Sequence, residues 1–297
     1  MKLNRRHFLG GTGAAFLIGA CEALPGAAPA PRQIEQIGIQ TYTLRAALDD
    51  DFVGTFQMIK DIGYDYVELN RRNLTGRTPA ELKAFLDDIG LPSPSIHLDY
   101  EMFATGSTEI GDIAGELGCE HAILPWITDE QRNLDAYKRH AEVLNRAGEI
   151  LKPYGVTAGY HNHQFEFFDL GEGQTGMGIL LGETDPEYVA FELDLFWAAL
   201  TGSDIVGLFE KHPGRFKYCH VKDLKGDASA YKTSVDFGAI VAAHMANVGE
   251  GDLPFETYFA AADVAGLEYF IVEHDNPPQP YRGSMETSYN AVKAMRF

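Results

Sequence analysis

The sequence is poor in cysteine, in positive charge and in long apolar runs. Of its 3 cysteines, only Cys119 and Cys219 fall in the body of the chain. They form no C-x-x-C pair and no disulfide framework, which argues against a stapled scaffold or a structural thiolate zinc centre. Both are expected to be buried free thiols. The 24 lysines and arginines are outnumbered by 43 aspartates and glutamates, for a formal net charge of −19. So acidic a surface repels phosphate backbones and argues against nucleic acid as a partner. The early apolar run from Phe8 to Ala20 is too short to span a bilayer comfortably. No G-x-G-x-x-G follows the first strand-like segment, and no other glycine-rich phosphate cradle is visible. Low-complexity linkers and internal repeats are also missing, so residues 31–297 read as one domain.

What is present begins with a leader. Lys2, Arg5 and Arg6 precede the short apolar run, and the Arg5-Arg6 pair followed by Phe8 and Leu9 resembles a twin-arginine export signal. An ordinary secretory signal is the plainer alternative. Ala28-Pro29-Ala30 fits cleavage after Ala30, whereas Ile18-Gly19-Ala20-Cys21 resembles a lipobox that would leave Cys21 lipidated. Residues 1–30 are therefore expected to direct export to the periplasm, with membrane attachment only through a lipid on Cys21.

The remainder alternates between two kinds of segment. Eight β-rich runs occur at 37–42, 66–70, 94–98, 121–126, 156–161, 188–194, 216–223 and 269–275. Amphipathic helical stretches separate them. One is capped by Thr78 with Pro79 and Glu81 after it and Gly90 at its end; a long one runs from Leu134 to Pro153 and Gly155. This pattern predicts an α/β fold, a single-domain (β/α)8 TIM barrel, with a doubly wound sheet as the runner-up.

Polar side chains collect at the C-terminal ends of the predicted strands: Glu68, His97, His161 with His163, Asp194, His220 with Lys222 and Asp223, and Glu273 with His274 and Asp275. In a parallel barrel those ends open on one face, where loops build the active site. Any single acid there is more often a helix cap or an ion-pair partner. Four in equivalent places on successive strands favour a site instead. Oxygen and imidazole donors without thiolate suit one divalent ion, Mn²⁺, Co²⁺, Mg²⁺ or Zn²⁺. Asp194, His220 and Glu273 are the expected ligands, joined by His161 or His163. Lys222 alternates with His220 and would meet a substrate oxygen. His163, Glu166 or Glu273 would serve as a base. His97, Glu68 and Trp126 would contact substrate, Trp126 by stacking on a sugar ring. Asp223 would cap the next segment or hold His220.

These segments, taken together, resemble the sugar phosphate isomerase/epimerase group, or xylose isomerase-like barrels. The resemblance rests on GIQTYTLR, IKDIGYDYVELN, GYHNHQFEF, FELDLFWAALTGSD, YCHVKDLKG, VGEGDLPF and YFIVEHD, in that order. It implies a divalent metal held by Glu, Asp, His and Glu from strands five to eight, the last three falling on Asp194, His220 and Glu273. The first does not carry over: Tyr160-His161-Asn162-His163 stands where the glutamate would be, and alternation favours His161. Loss of that glutamate removes one half of an epimerase's proton-transfer pair. The HNHxFEF version resembles exported members, some of which act as lyases or hydratases on 3-keto-glycosides. The expectation is a metal-dependent enzyme working on a keto-sugar or keto-glycoside through an enediolate, with elimination or hydration favoured over isomerisation and epimerisation. A non-catalytic exported carbohydrate-binding barrel is the alternative, and a metal-free glycosidase using Glu192 and Glu273 a third. A homo-oligomer stays open.

Overall fold

The computed structural model describes residues 31–297. The leader and Cys21 lie outside the described residues. Eight strands form the barrel: β1 (Gly38–Gln40), β2 (Tyr66–Asn70), β3 (Ser95–His97), β4 (His121–Leu124), β5 (Thr157–His161), β6 (Val189–Asp194), β7 (Phe216–Val221) and β8 (Tyr269–Val272). All pair in parallel with their sequence neighbours, and β8 closes on β1 through Gly38 opposite Ile271. Each falls inside or matches a segment expected from the sequence. No helix among the described residues is long and apolar enough to cross a membrane.

Local chemistry explains the elements. Thr78 and Glu81 form a reciprocal capping box on the helix Pro79–Ile89, which ends on left-handed Gly90. Asn133 caps the helix Leu134–Leu151, whose buried residues, among them Ala136, His140, Leu144, Ala147 and Leu151, recur at helical spacing against the barrel. The outer core lies between strands and helices, with Phe56, Leu82, Leu144, Phe209 and Val292 fully buried. Cys119 and Cys219 are buried free thiols, as expected.

The barrel interior is layered. Its floor is Tyr66, Ile123, Tyr218 and Ile271. Gly38 admits the Tyr66 ring, since a Cβ there would lie 2.1 Å from it. Above the floor the lining turns polar. A one-residue irregularity helps to build it: Phe191 pairs with Phe216, but Glu192 pairs with Tyr218 and Asp194 with His220, leaving Lys217 as the extra residue. Without that extra residue Asp194 would stand opposite Cys219. A slip of one residue turns a side chain to the other face, so the irregularity puts Asp194 and His220 together inside.

After β7 the chain makes a short antiparallel pair, Asp223 with Ala246 and Leu224 with Met245. The helix Phe237–His244 between them reaches the cavity at the C-terminal end of the barrel.

Candidate metal centre and active site

Two layers of charge share one imidazole. In the lower layer, His220 Nε2 donates to Glu68 Oε1 at 2.7 Å and lies 3.2 Å from Glu192 Oε2. Glu68 also accepts from Gln40 Nε2 at 2.7 Å and Ser95 Oγ at 2.5 Å. Glu192 Oε2 accepts from His97 Nε2 at 2.8 Å and His161 Nδ1 at 2.9 Å. All these side chains are buried. Burial works against a charged His97, yet the carboxylates of Glu68 and Glu192 outweigh it and raise its pKa to about 9. Burial opposes a charged Glu68 too, and His97 and His220 reverse that effect, holding its carboxyl well below the usual range.

The upper layer is built on the other nitrogen. His220 Nδ1 lies 2.7 Å from Glu273 Oε2 and 3.9 Å from Asp194 Oδ2. His161 Nε2, left free by its Nδ1 bond to Glu192, is also 3.9 Å from Asp194 Oδ2. Asp194 divides its carboxylate: Oδ1 caps the next helix by accepting from Trp197 N–H at 3.0 Å, and Oδ2 turns to the site. The cap on Oδ1 therefore leaves Oδ2 facing the other charged side chains. Glu273 follows β8 immediately, and its N–H still donates to Val221 O at 3.3 Å. Lys222, buried to 2% side-chain exposure, sets its ammonium 2.7 Å from Glu273, 3.0 Å from Asp194 and 3.0 Å from Asp275.

Asp194 Oδ2 and His220 Nδ1 are buried and sit at ion-pair distance from neighbours, but neither has a hydrogen bond of acceptable geometry. Ligand atoms of Asp194, His220 and Glu273 all lie within 4.8 Å of one another. An O,N,O donor set with two orphaned atoms fits a divalent ion, and the Nε2–H bond to Glu68 would leave Nδ1 its lone pair. His97, His161, Glu192 and His220 form a second close group below. There the carboxylate oxygen Glu192 Oε2 already takes hydrogen bonds from His97 and His161, so the upper set suits a metal better.

The remaining expected residues divide by access. His163 lines the cavity with Nδ1 unpartnered, packed edge-on against Trp126 at 4.8 Å and stacked on Phe165 at 5.5 Å. Burial and then the Lys222 charge lower its pKa well below that of free imidazole, which keeps it neutral. His97 and Trp126 line the same cavity, Trp126 with 41% exposure. Glu68 and Glu166 do not line it. Glu166 is wholly buried, 2.6 Å from Tyr160 Oη and accepting from His163 N–H at 2.8 Å, and burial raises its pKa to about 8. Asp223 serves as a cap: it accepts from the N–H groups of Leu224, Gly249, Gly251 and Leu253, while Glu68 holds His220. Gln40, Ser95 and the bridging place of Glu192 escaped sequence reasoning. The alternation of Glu192 with Asp194 was the available signal for the last.

A family model described as a xylose isomerase-like TIM barrel matches residues 56–291. An inosose dehydratase of Geobacillus thermodenitrificans is 32% identical over 142 residues, 46% of this chain and 46% of that protein. The chain spans about half the length of the first curated relatives it matches. The crystal structure of a sugar phosphate isomerase/epimerase from Parabacteroides distasonis superposes with a TM-score of 0.71 at 27% identity, covering 93% of this chain and 98% of that one. The IolI protein, solved with a bound zinc atom, shares the fold at a TM-score of 0.67 and 16% identity, over 88% of this chain and 99% of its own.

Proposed function

The chain belongs to the xylose isomerase-like TIM barrel family, and from that premise we propose that it is a divalent-metal-dependent enzyme acting on a keto-sugar or keto-glycoside. The reaction in this reading is removal of a proton beside a carbonyl, followed by cleavage of the β C–O bond, the oxygen leaving as water or an alcohol with a proton and a C=C bond forming, with hydration as the reverse. The observation that carries it is the buried meeting of Asp194, His220 and Glu273 with Asp194 Oδ2 and His220 Nδ1 unsatisfied. Inosose dehydratase relatives support sugar dehydration as the class.

Asp194, His220, Glu273 and His161 would hold the ion, which when bound supplies Lewis-acid stabilisation for a carbonyl oxygen that gains negative charge. His163, neutral and at the cavity wall, takes the proton from the adjacent carbon. Lys222, charged and reaching the same wall, donates a hydrogen bond to the substrate oxygen. His97, an imidazolium fixed by two carboxylates, is a further donor at the cavity edge. Glu68 and Glu192 position His220, His97 and His161; Glu166 fixes the backbone of His163. The end of β5 offers two imidazoles and no carboxylate, which favours elimination over a paired-glutamate epimerisation. Export by the leader belongs to the same proposal.

The test is deuterium uptake. Metal-loaded protein in D₂O with a panel of keto-sugars and 3-keto-glycosides should exchange the proton beside the carbonyl of one of them, followed by NMR. His163→Ala should slow exchange by about 10²–10⁴-fold, the usual range for a lost acid–base group, while metal content stays at the wild-type level. Exchange that survives His163→Ala at the wild-type rate would contradict the role of His163. Absence of exchange across the panel would contradict the reaction class.

A further inference from the structure

The cavity above the charged layers has a volume of about 780 Å³, in the range that holds a drug-sized ligand. One sugar ring over Asp194, His220 and Glu273 would leave most of it empty. The outer part has two unlike walls. Over the arc of β4 to β7 stand Trp126, with 41% exposure, and Phe237, their ring centres 5.2 Å apart. Gly238, Val241 and Ala242 continue that wall along the helix Phe237–His244, whose sequence FGAIVAAH carries no acidic, Lys or Arg residue. Apart from the Trp126 indole N–H, these residues offer no side-chain hydrogen bond, so this wall suits a flat apolar ring.

The opposite arc, after β1 and β2, carries Arg45, Arg71 and Arg72 on the same cavity. Arg72 is paired with exposed Asp49 at 2.6 Å. Arg45 lies over the Tyr42 ring at 4.2 Å and donates to Tyr42 O; among the described residues neither Arg45 nor Arg71 forms an ion pair. Of the acids lining the cavity, Glu273 and Asp275 are held by Lys222, leaving Asp99 as the rim carboxylate. Two unpaired guanidinium groups at one mouth stand out in a chain of formal charge −19. Guanidinium groups recognise carboxylate and related planar anions and also stack on rings.

We propose that this outer space is a subsite for an anionic aromatic aglycone, its ring against Trp126 and Phe237 and its acidic group at Arg45 and Arg71. The inference rests on the reading that the inner site takes the sugar of a glycoside, and it narrows the substrate class to aryl glycosides with an acidic substituent.

Calorimetric titration of the metal-loaded protein with methyl, phenyl and 4-carboxyphenyl β-D-glucoside, and with free 4-hydroxybenzoate, tests it. The carboxyphenyl glucoside should bind at least about tenfold more tightly than the methyl glucoside, as one well-placed ring and one charged contact warrant. Phe237→Ala should remove the advantage of both aryl probes. The double variant Arg45→Ala/Arg71→Ala, at the protein surface, should remove only the advantage of the carboxylate, and added salt should do the same. Equal affinity for all three glucosides would overturn the subsite. A preference for phenyl that the carboxylate does not increase would overturn its anionic half. Binding of 4-hydroxybenzoate that depends on the two arginines, with no methyl glucoside bound, would keep the subsite and overturn the glycoside reading beneath it.

Discussion

The two sides of His220 join a largely bonded layer to one whose buried atoms are left partly unsatisfied. Below, around Nε2, Glu68 Oε1 and Glu192 Oε2 each have at least two nitrogen partners and Glu68 Oε2 has the Ser95 hydroxyl, while Glu192 Oε1 has none. Above, around Nδ1, Asp194 and Glu273 face a lysine and an imidazole across ion-pair distances, with Asp194 Oδ2 and Nδ1 itself unsatisfied. Both layers are buried, so the difference is not exposure. The lower layer has most of its bonds made, Glu192 Oε1 excepted, and fixes geometry, whereas the upper layer, with Asp194 Oδ2 and His220 Nδ1 both orphaned, is less satisfied and favours an added ion. The degree of satisfaction, rather than burial, distinguishes the two layers.

The contrast breaks most completely when the shared ring is removed. His220→Ala should abolish stoichiometric metal binding and leave Glu68 and Glu192 short of a buried partner, a loss of about 3–5 kcal/mol by the usual cost of an orphaned buried charge. Metal analysis and urea unfolding read the two effects separately. Lys222→Met acts on the upper layer alone. The metal-free protein should lose stability by a similar few kcal/mol, because three carboxylates lose one cation. Its metal affinity should rise, since no ammonium then competes for Asp194 and Glu273. Melting with and without Mn²⁺ should show a larger metal-induced rise in the variant than in the wild type; an equal or smaller rise would sever Lys222 from the ion.

Glu68→Gln acts on the lower layer alone and leaves every proposed ligand in place. It should weaken metal binding by about 10–100-fold, as loss of a ligand-orienting partner does. Unchanged affinity would make the lower layer mere packing.

Glu166 lies outside both layers and bears on stability rather than on the ion. Burial raises its pKa from 4.5 to about 8. A raised carboxyl binds its proton more tightly in the folded than in the unfolded chain. Its stabilising contribution is complete below about 4.5 and is lost as pH rises through about 8. Glu166→Gln should flatten the fall in stability across that interval, measured as unfolding midpoints at several pH values. A parallel fall in both proteins would show that Glu166 is already ionised at neutral pH.

Much of this architecture was legible in the sequence, for physical reasons. Strand positions, the Thr78 capping box and the closing Gly90 are local, set by period and turn chemistry within a dozen residues. Asp194, His220 and Glu273 were legible because barrel topology brings strand ends together whatever their separation in sequence. The lower layer was harder to read. Glu192 sits inside a strand, and nothing local says that its carboxylate meets His97 and His161 from other strands. The extra residue in β7 that aligns His220 with Asp194 leaves no mark on the sequence pattern either. Whether Asp223 caps a loop or holds His220 depended on the path of residues 247–253, which only the fold supplies.

The central claim is that the upper layer holds a divalent ion. Elemental analysis of protein purified without chelator, with Glu273→Ala and His220→Ala beside it, tests that claim most directly. The account predicts about one Mn, Co, Zn or Mg per chain in the wild type and none in either variant, as expected for a single carboxylate–imidazole site. A wild type that stays metal-free after soaking, or variants that keep the metal, would contradict it.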